Sequence, residues 1–251
     1  MIKQGELIPV GPVEAYPATE DLLHWMERQF QCFGSIYQAS IFGVPAYVIR
    51  DPHHAQHVLV TNWRNYRKGQ LIRRVGLLLG NGLMVSEGDL WRRQRRMIQP
   101  IFHRTVIGGL CDIMTKTNLA LRDRWEQAAR DREVINVTRD VSHLVLAVML
   151  EAIFGDDTTQ VAPHFAILAD DPVRDIAFAQ AFRSLGRIVQ HIVKQRRTAC
   201  TTPADILGLL MQARDRGTGQ GMSERNLVNE IMTLIVAGHE TTASTLGWVW
   251  Y

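Results

Sequence analysis

The sequence predicts a mainly α-helical protein with one small β-sheet, and three observations carry that expectation. Apolar residues recur at three- and four-residue spacing over long stretches, notably Val106–Ala129 and Ile176–Arg197. Residues of strand character cluster in one short region, Ser35–Ile49. The chain of 251 residues is 46% apolar and 21% charged, ordinary globular usage, so it can bury a core and disorder is excluded as the default.

Each element follows from local signals. Ser35–Ile41 and Ala46–Ile49 read as two short neighbouring strands separated by Phe42-Gly43-Val44-Pro45. Asp51-Pro52 reads as an N-cap followed by proline at the first helical position, with a short helix to about Val60. From Arg64 to Gly88 five glycines punctuate a basic stretch that reads as loop. A helix through Trp91–Gln99 is ended by Pro100. Val106–Ala129 reads as one helix, with Ile107, Leu110, Ile113, Met114, Leu121 and Trp125 on its apolar stripe and Cys111 in its core. Thr138 reads as the cap of a helix ending at Gly155, whose segment Leu144–Leu150 is apolar on every side and so central and buried. Ile176–Arg197 is an amphipathic helix and Ala204–Arg214 a shorter one. Gly217–Gly221 reads as a turn, and Ser223 caps a last helix carrying Leu227, Ile231, Leu234, Ile235 and Ala237. That helix meets no stop signal before Tyr251, which implies a cut chain.

Composition excludes several classes. The apolar runs fall short of the ~18–20 residues of a membrane span, and residues 1–17 lack the core of a signal peptide, so a cytoplasmic protein with no membrane anchor is expected. Cys32, Cys111 and Cys200 are too scattered for a disulfide framework or a clustered zinc site. His53 and His57 share a helix face but lack a third ligand and read as solvated. Net charge is +3, yet Thr61–Arg104 holds ten basic residues against Glu87 and Asp89, a local +8 that calls for an anionic partner or another reason.

Two constellations carry chemistry. Ala237-Gly238-His239-Glu240-Thr241-Thr242 sets small residues, an acid and two hydroxyls inside an apolar helix. Small residues let a flat ligand approach the backbone, a threonine bonded back to a carbonyl bends a helix and opens a groove for water, and a buried glutamate beside it is a proton carrier. A polar stripe where two helices cross is the plainer explanation. In the second, Trp91 and Arg95 stand four apart on one helix face, two donors aimed at one anion, with Arg92 and Arg96 on a neighbouring face. A solvated basic helix, or contact with nucleic-acid phosphates, explains the arginines as well.

Together the two resemble a family. AGHETT at Ala237–Thr242 matches the A/G-G-x-D/E-T-T pattern of the distal helix of the cytochromes P-450, haem-thiolate monooxygenases, and Trp91-x-x-x-Arg95 resembles that family's W-x-x-x-R helix. Leu79–Trp91, Pro100–His103, Ala152–Gly155 and Asp205–Leu207 resemble further family segments, and the likeness runs from about Gly34 to Tyr251. The resemblance implies a single incomplete domain over residues 1–251: an N-terminal segment at 1–33, a strand pair at 34–50 and a helical part at 51–251, truncated within or just after the distal helix. It implies haem b as cofactor, with electrons from NAD(P)H through a ferredoxin- or flavodoxin-type partner, and insertion of one atom of O2 into a small apolar organic substrate. By the same likeness Glu240 and Thr241 are catalytic, delivering protons through water to dioxygen. Trp91 and Arg95 bind a haem propionate, and Leu83, Ala237 and Gly238 lie against the haem. Met84, Val236 and Thr242 face substrate, His239 is a packing or substrate-side residue, and Arg92, Arg93 and Arg96 form part of the surface for the electron donor.

The sequence also departs from the family. None of its eleven glutamates has an arginine three residues later, so the E-x-x-R pair is absent, and no cysteine sits in an F-x-x-G-x-R-x-C-x-G loop. The axial thiolate therefore has no candidate, and the chain alone is expected to form no thiolate-ligated haem and to catalyse no hydroxylation. The segment Asp156–Arg197 is short for the family's substrate-access helices. The rival from another class is a non-catalytic basic helical module binding nucleic acid or another anionic partner. No helix-turn-helix and no aromatics interleaved with the arginines support it.

Overall fold

A computed structural model describes Gly11 and residues 21–41, 43–170 and 176–250. The chain divides into two compact units, Met1–Arg67 and Lys68–Tyr251. Most of the segment 1–20 expected as the start of the N-terminal region lies outside the described residues.

In the first unit, α1 (Leu22–Phe33) is a helix the sequence analysis did not anticipate. Asp21 caps it, accepting from the His24 N–H at 2.9 Å. Leu22, Trp25, Met26, Phe30 and Phe33 form its apolar stripe, which packs on a two-stranded antiparallel sheet. Strand β1 (Ile36–Ile41) pairs with β2 (Val44–Ile49) from Ile36 opposite Ile49 to Ile41 opposite Val44. The second strand thus starts two residues earlier than expected, directly after Gly43, which takes the left-handed φ of 75° that glycine adopts freely. Tyr37 is fully buried at the centre, edge-on to Phe30 at 5.1 Å. Asp51 caps α2 (Pro52–Gln56) as expected, accepting from His53 N–H at 2.8 Å. The helix then widens into a π-turn, His57–Thr61. His53 and His57 are exposed.

The second unit corrects the loop reading of Arg64–Gly88. It contains α3 (Gln70–Leu79), where Leu71, Ile72, Val75, Leu78 and Leu79 keep helical spacing. Gly76 looked like punctuation but serves packing: a Cβ there would stand 2.8 Å from Val85 Cγ1. Next come α4 (Gly88–Ile98), a 3-10 turn through Pro100, α5 (Arg104–Gly109) and α6 (Cys111–Asp131). The single helix expected over Val106–Ala129 is broken after Gly108-Gly109, whose backbone freedom weakens helix continuity. Cys111 consequently opens α6 and is exposed, not in the core.

Helix α7 (Val137–Phe154) is central as expected, lying against α6 and, further along the chain, α8 (Thr158–Phe165), α9 (Ile167–Asp170), α11 (Ile206–Gln212) and α12 (Glu224–Val249). Its cap is Asn136, accepting from Arg139 N–H at 3.0 Å, and not Thr138, which is already helical. The long α10 (Ile176–Thr198) packs on α12 and α8. Leu150, Ile153, Val193, Leu207, Ile231 and Ile235 mark the core these helices share. Arg196, 4% exposed, stitches its edge. Its guanidinium donates to Asp157 at 2.8 Å, to both oxygens of Asp205 at 2.7 Å and to the Phe154 carbonyl at 2.7 Å. Burial alone would lower its pKa, but the hydrogen bonds and charges of Asp205 and Asp157 outweigh that and raise it. Ser223 caps α12 as expected, accepting from Asn226 N–H at 3.2 Å.

Candidate functional site

Helix α12 carries different chemistry on its two halves. Along the first half, Leu227, Ile231 and Ile235 form the apolar stripe, and Glu230 falls on it, three residues after Leu227 and four before Leu234. The glutamate is fully buried. Its Oε2 accepts the Leu83 N–H at 2.8 Å, while Oε1 has no hydrogen-bond partner among the described residues. Burial pushes its carboxyl up to about 7, against the opposing pull of the Leu83 N–H and the Lys68 charge.

The backbone between α3 and α4 lies directly on this half of α12. A Cβ at Gly80 would come within 2.3 Å of Asn229 Oδ1, and one at Gly82 within 2.3 Å of Thr233 Oγ1 and 2.8 Å of the Asn229 carbonyl oxygen. Gly80 also closes α3 with a φ of 69°, which glycine adopts freely. From the other side Lys68 Nζ donates to the carbonyls of Leu83, Met84 and Ser86 at 2.9, 2.6 and 2.9 Å, and its own N–H donates to Glu87 Oε1 at 2.5 Å. Leu83, Met84 and Val236 are half-buried against the main core.

The AGHETT half runs through the helix without interruption. One side of it packs on α7. A Cβ at Gly238 would stand 2.6 Å from Met149 Cε, His239 Nε2 lies 3.0 Å from Ser142 Oγ and 3.2 Å from the Ser142 carbonyl, and Ala243 is buried with Val141 and Val145. The opposite side is exposed and small. Thr241 turns its hydroxyl back to the Ala237 carbonyl at 2.7 Å, and Thr245 does the same to Thr241 at 2.8 Å. Glu240 and Thr242 are exposed here too. The buried glutamate expected at Glu240 is therefore Glu230, because ten residues fall about 80° short of three full turns and carry Glu240 off the packed face.

On α4 the Arg95 guanidinium lies over the Trp91 ring, 5.2 Å from its centroid, so the two do share one face. The neighbouring arginines have internal work. Arg93 reaches Asp215 at 3.2 Å and the Gly221 carbonyl at 3.1 Å, and Arg96 reaches Asp215 at 3.5 Å. Asp215 is buried and its carboxyl is held below the usual range, first by the Gly217 N–H and then by these arginines against some desolvation. Arg92 pairs with Asp89. With Lys68 spent on three carbonyls, part of the local +8 is accounted for inside the fold, while Arg64, Arg67, Arg73, Arg74, Arg95 and Arg104 remain exposed.

The residues that sequence reasoning missed are Lys68, Glu230 and Arg196. The signal for Glu230 was a charge on the core stripe of its own helix. Lys68 and Arg196 gave none, since their partners lie in other segments.

Comparisons with known proteins agree with this architecture. The family model Cytochrome P450 matches residues 8–170 and 160–251. Cyclooctat-9-en-7-ol 5-monooxygenase of Streptomyces melanosporofaciens is 28% identical over 239 residues, 87% of this chain and 51% of the relative. The protein LUTEIN DEFICIENT 5 of Arabidopsis thaliana is 25% identical, with 88% of this chain and 43% of the relative covered. The chain thus spans about half the length of the curated relatives it matches. Among solved structures, the cytochrome P450DA heme domain superposes with a TM-score of 0.73 at 22% identity over 95% of this chain and 58% of that one. Retinoic acid bound cyanobacterial CYP120A1 gives 0.73 at 22% over 96% and 59%. These structures speak to the fold, and with the family model matching nearly the whole length, the chain belongs to the cytochrome P450 family.

Proposed function

We propose that this chain forms the distal part of a haem monooxygenase. The single observation that carries the reading is the exposed, small-residue face of α12, with Ala237 half-buried and Thr241 tied back onto it, in a chain of this family. A flat macrocycle can approach such a face at Ala237 and Thr241, with the exposed Glu240 beside them. Trp91 and Arg95 supply an N–H donor and a cation on one helix face, the donor set a propionate takes. Haem b, when bound, supplies activation of dioxygen for insertion of one oxygen atom into an organic substrate.

The chain's own residues have these roles. Trp91 and Arg95 hold a propionate, and Leu83, Ala237 and Gly238 pack against the macrocycle. Glu240, exposed beside Thr241, delivers protons through water that the Thr241 hydroxyl orients. Met84, Val236 and Thr242 contact a small apolar substrate. Arg92 and Arg96, whose side chains are 45% and 55% exposed, contribute to the surface for a ferredoxin- or flavodoxin-type donor carrying NAD(P)H electrons. Arg93 takes the smaller part, being committed to Asp215 and Gly221. Among the described residues no helix is long and apolar enough to cross a membrane. Three exposed, unbridged cysteines suit a reducing compartment, and the cytoplasm is the one proposed.

Haemin titration of the full chain, followed by Soret absorbance, tests the reading. Wild type is expected to saturate, with Arg95→Ala and Trp91→Phe each weakening uptake. Equal affinity in all three proteins would refute the propionate assignment. The reduced chain with carbon monoxide is expected to lack the red-shifted Soret band of a thiolate-ligated haem, and seeing that band would refute the absence of an axial cysteine.

A further inference from the structure

The AGHETT half of α12 accounts for the family resemblance, yet the helix's buried charge lies two turns earlier. Glu230 sits in the core with one oxygen engaged and one without a partner among the described residues. A buried carboxylate oxygen is costly to leave unmatched, and structures keep such a group for a reason. Two more buried polar atoms in the same neighbourhood, Ser86 Oγ and Gln94 Oε1, also lack partners among the described residues. Ser86 belongs to the segment lying on α12, and Gln94 donates its amide to Asn81 in that segment at 3.3 Å.

The contacts converge on one short piece of backbone. Leu83 gives its N–H to Glu230 and its carbonyl to Lys68, and the Met84 and Ser86 carbonyls go to the same ammonium. Gly80 and Gly82 let that backbone press on α12 at Asn229 and Thr233. The segment is thereby gripped from both sides, by the Glu230 carboxyl on one and by the Lys68 ammonium on the other. We propose that Glu230 is a positioning residue: with Lys68 it clamps the Leu83–Met84 backbone onto α12, and loss of the Glu230 proton releases that segment.

The sign follows from solvation. Any opening that lifts Leu83 off α12 hydrates Glu230, and a hydrated glutamate gives up its proton far more readily than a buried one. Opening is then linked to proton release and becomes easier as pH rises toward neutrality. Lys68 is the charged group acting on Glu230, and Glu87, which accepts the Lys68 N–H, acts on Lys68. Burial lowers the Lys68 pKa, with the charges of Glu87 and Glu230 opposing. That Leu83 and Met84 meet haem and substrate rests on the function proposed above; the clamp itself rests on the geometry.

Amide hydrogen exchange of the full chain, read residue by residue by NMR from pH 5 to pH 8, tests the proposal. After correction for intrinsic rates, protection at Leu83 is expected to fall on the order of 100-fold across that range, while Val145 in the middle of α7 changes much less. Glu230→Gln, whose amide oxygen can accept the same N–H but cannot ionise, should keep Leu83 protected with no pH dependence. Glu230→Leu should leave Leu83 poorly protected at every pH. Flat protection in wild type, a Glu230→Gln profile that still titrates, or parallel loss at Leu83 and Val145 would each overturn the clamp. A chain that takes up no haemin while Leu83 behaves as described supports the clamp and defeats the functional reading. Haemin uptake with a Leu83 that does not titrate does the reverse.

Discussion

Replacing Arg196 by methionine keeps an unbranched apolar stem and removes the guanidinium that makes four side-chain hydrogen bonds among the described residues. The loss strands two carboxylates. Asp205 is 7% exposed and spends one oxygen on the Gly208 N–H at 2.8 Å, and Asp157 is 25% exposed. Breaking one side of a buried ion pair costs about 3–5 kcal/mol, because the abandoned charge keeps its desolvation penalty. At 4% exposure the Arg196 side chain needs no discount for solvent screening. For a unit of this size that is a fall in melting temperature of about 6–20 °C. Urea unfolding followed by circular dichroism would give the same difference at constant slope. A companion variant, Arg196→Met with Asp205→Asn, retains the oxygen that caps α11 while removing the stranded charge. It is expected to recover about 1–3 kcal/mol of the loss. An Arg196→Met penalty below about 1 kcal/mol, or strict additivity with Asp205→Asn, would refute the view that this guanidinium closes the corner of α7, α10 and α11.

Other expectations follow from single contacts. Glu230 is raised to about 7 from an unfolded value of 4.5, so between those pH values the folded chain binds the extra proton. Unfolding free energy should fall as pH rises through that window, by about 3 kcal/mol in total, and Glu230→Gln should abolish the slope. A slope of opposite sign in a pH series of urea melts would contradict the burial. Gly82→Ala places a methyl against the Asn229 carbonyl and Thr233, where backbone cannot yield, and should cost about 1–3 kcal/mol by thermal melting. Gly238→Ala meets only the mobile end of Met149 and should cost less than about 1.5 kcal/mol, rising for Gly238→Val. Gly108→Ala has open space at its Cβ, and a gain of about 0.5–1 kcal/mol is expected from helix propensity. Equal penalties at positions 82, 108 and 238 would show that close approach is not what these glycines serve.

Much of the fold was legible because it depends on nearest neighbours along the chain. Asp51-Pro52 and Ser223 announce helix starts through side-chain oxygens that reach N–H groups two or three residues away. The apolar faces of α7 and α10 repeat at the helical period, and Trp91 and Arg95 meet because four residues make about one turn. The AGHETT and W-x-x-x-R spacings, and with them the family, are local in the same way. The failures were also local in cause. Gly76 reads as a breaker unless Val85 is known to fill the space beside it, and Thr138 outranks Asn136 only until the backbone shows which of them stands outside the helix.

What tertiary structure alone decided is where the charges go. Arg93 and Arg96 read from the sequence as surface arginines, and only the fold brings Asp215, more than a hundred residues away, within reach of both. Glu240 looked buried because it stands in an apolar helix, yet the crossing of α7 over Gly238 and His239 turns it to solvent and leaves Glu230 inside. Periodicity specifies which residues share a helix face. It cannot specify which face a second helix covers, and the desolvation and pairing that set a charge's behaviour depend on that covering.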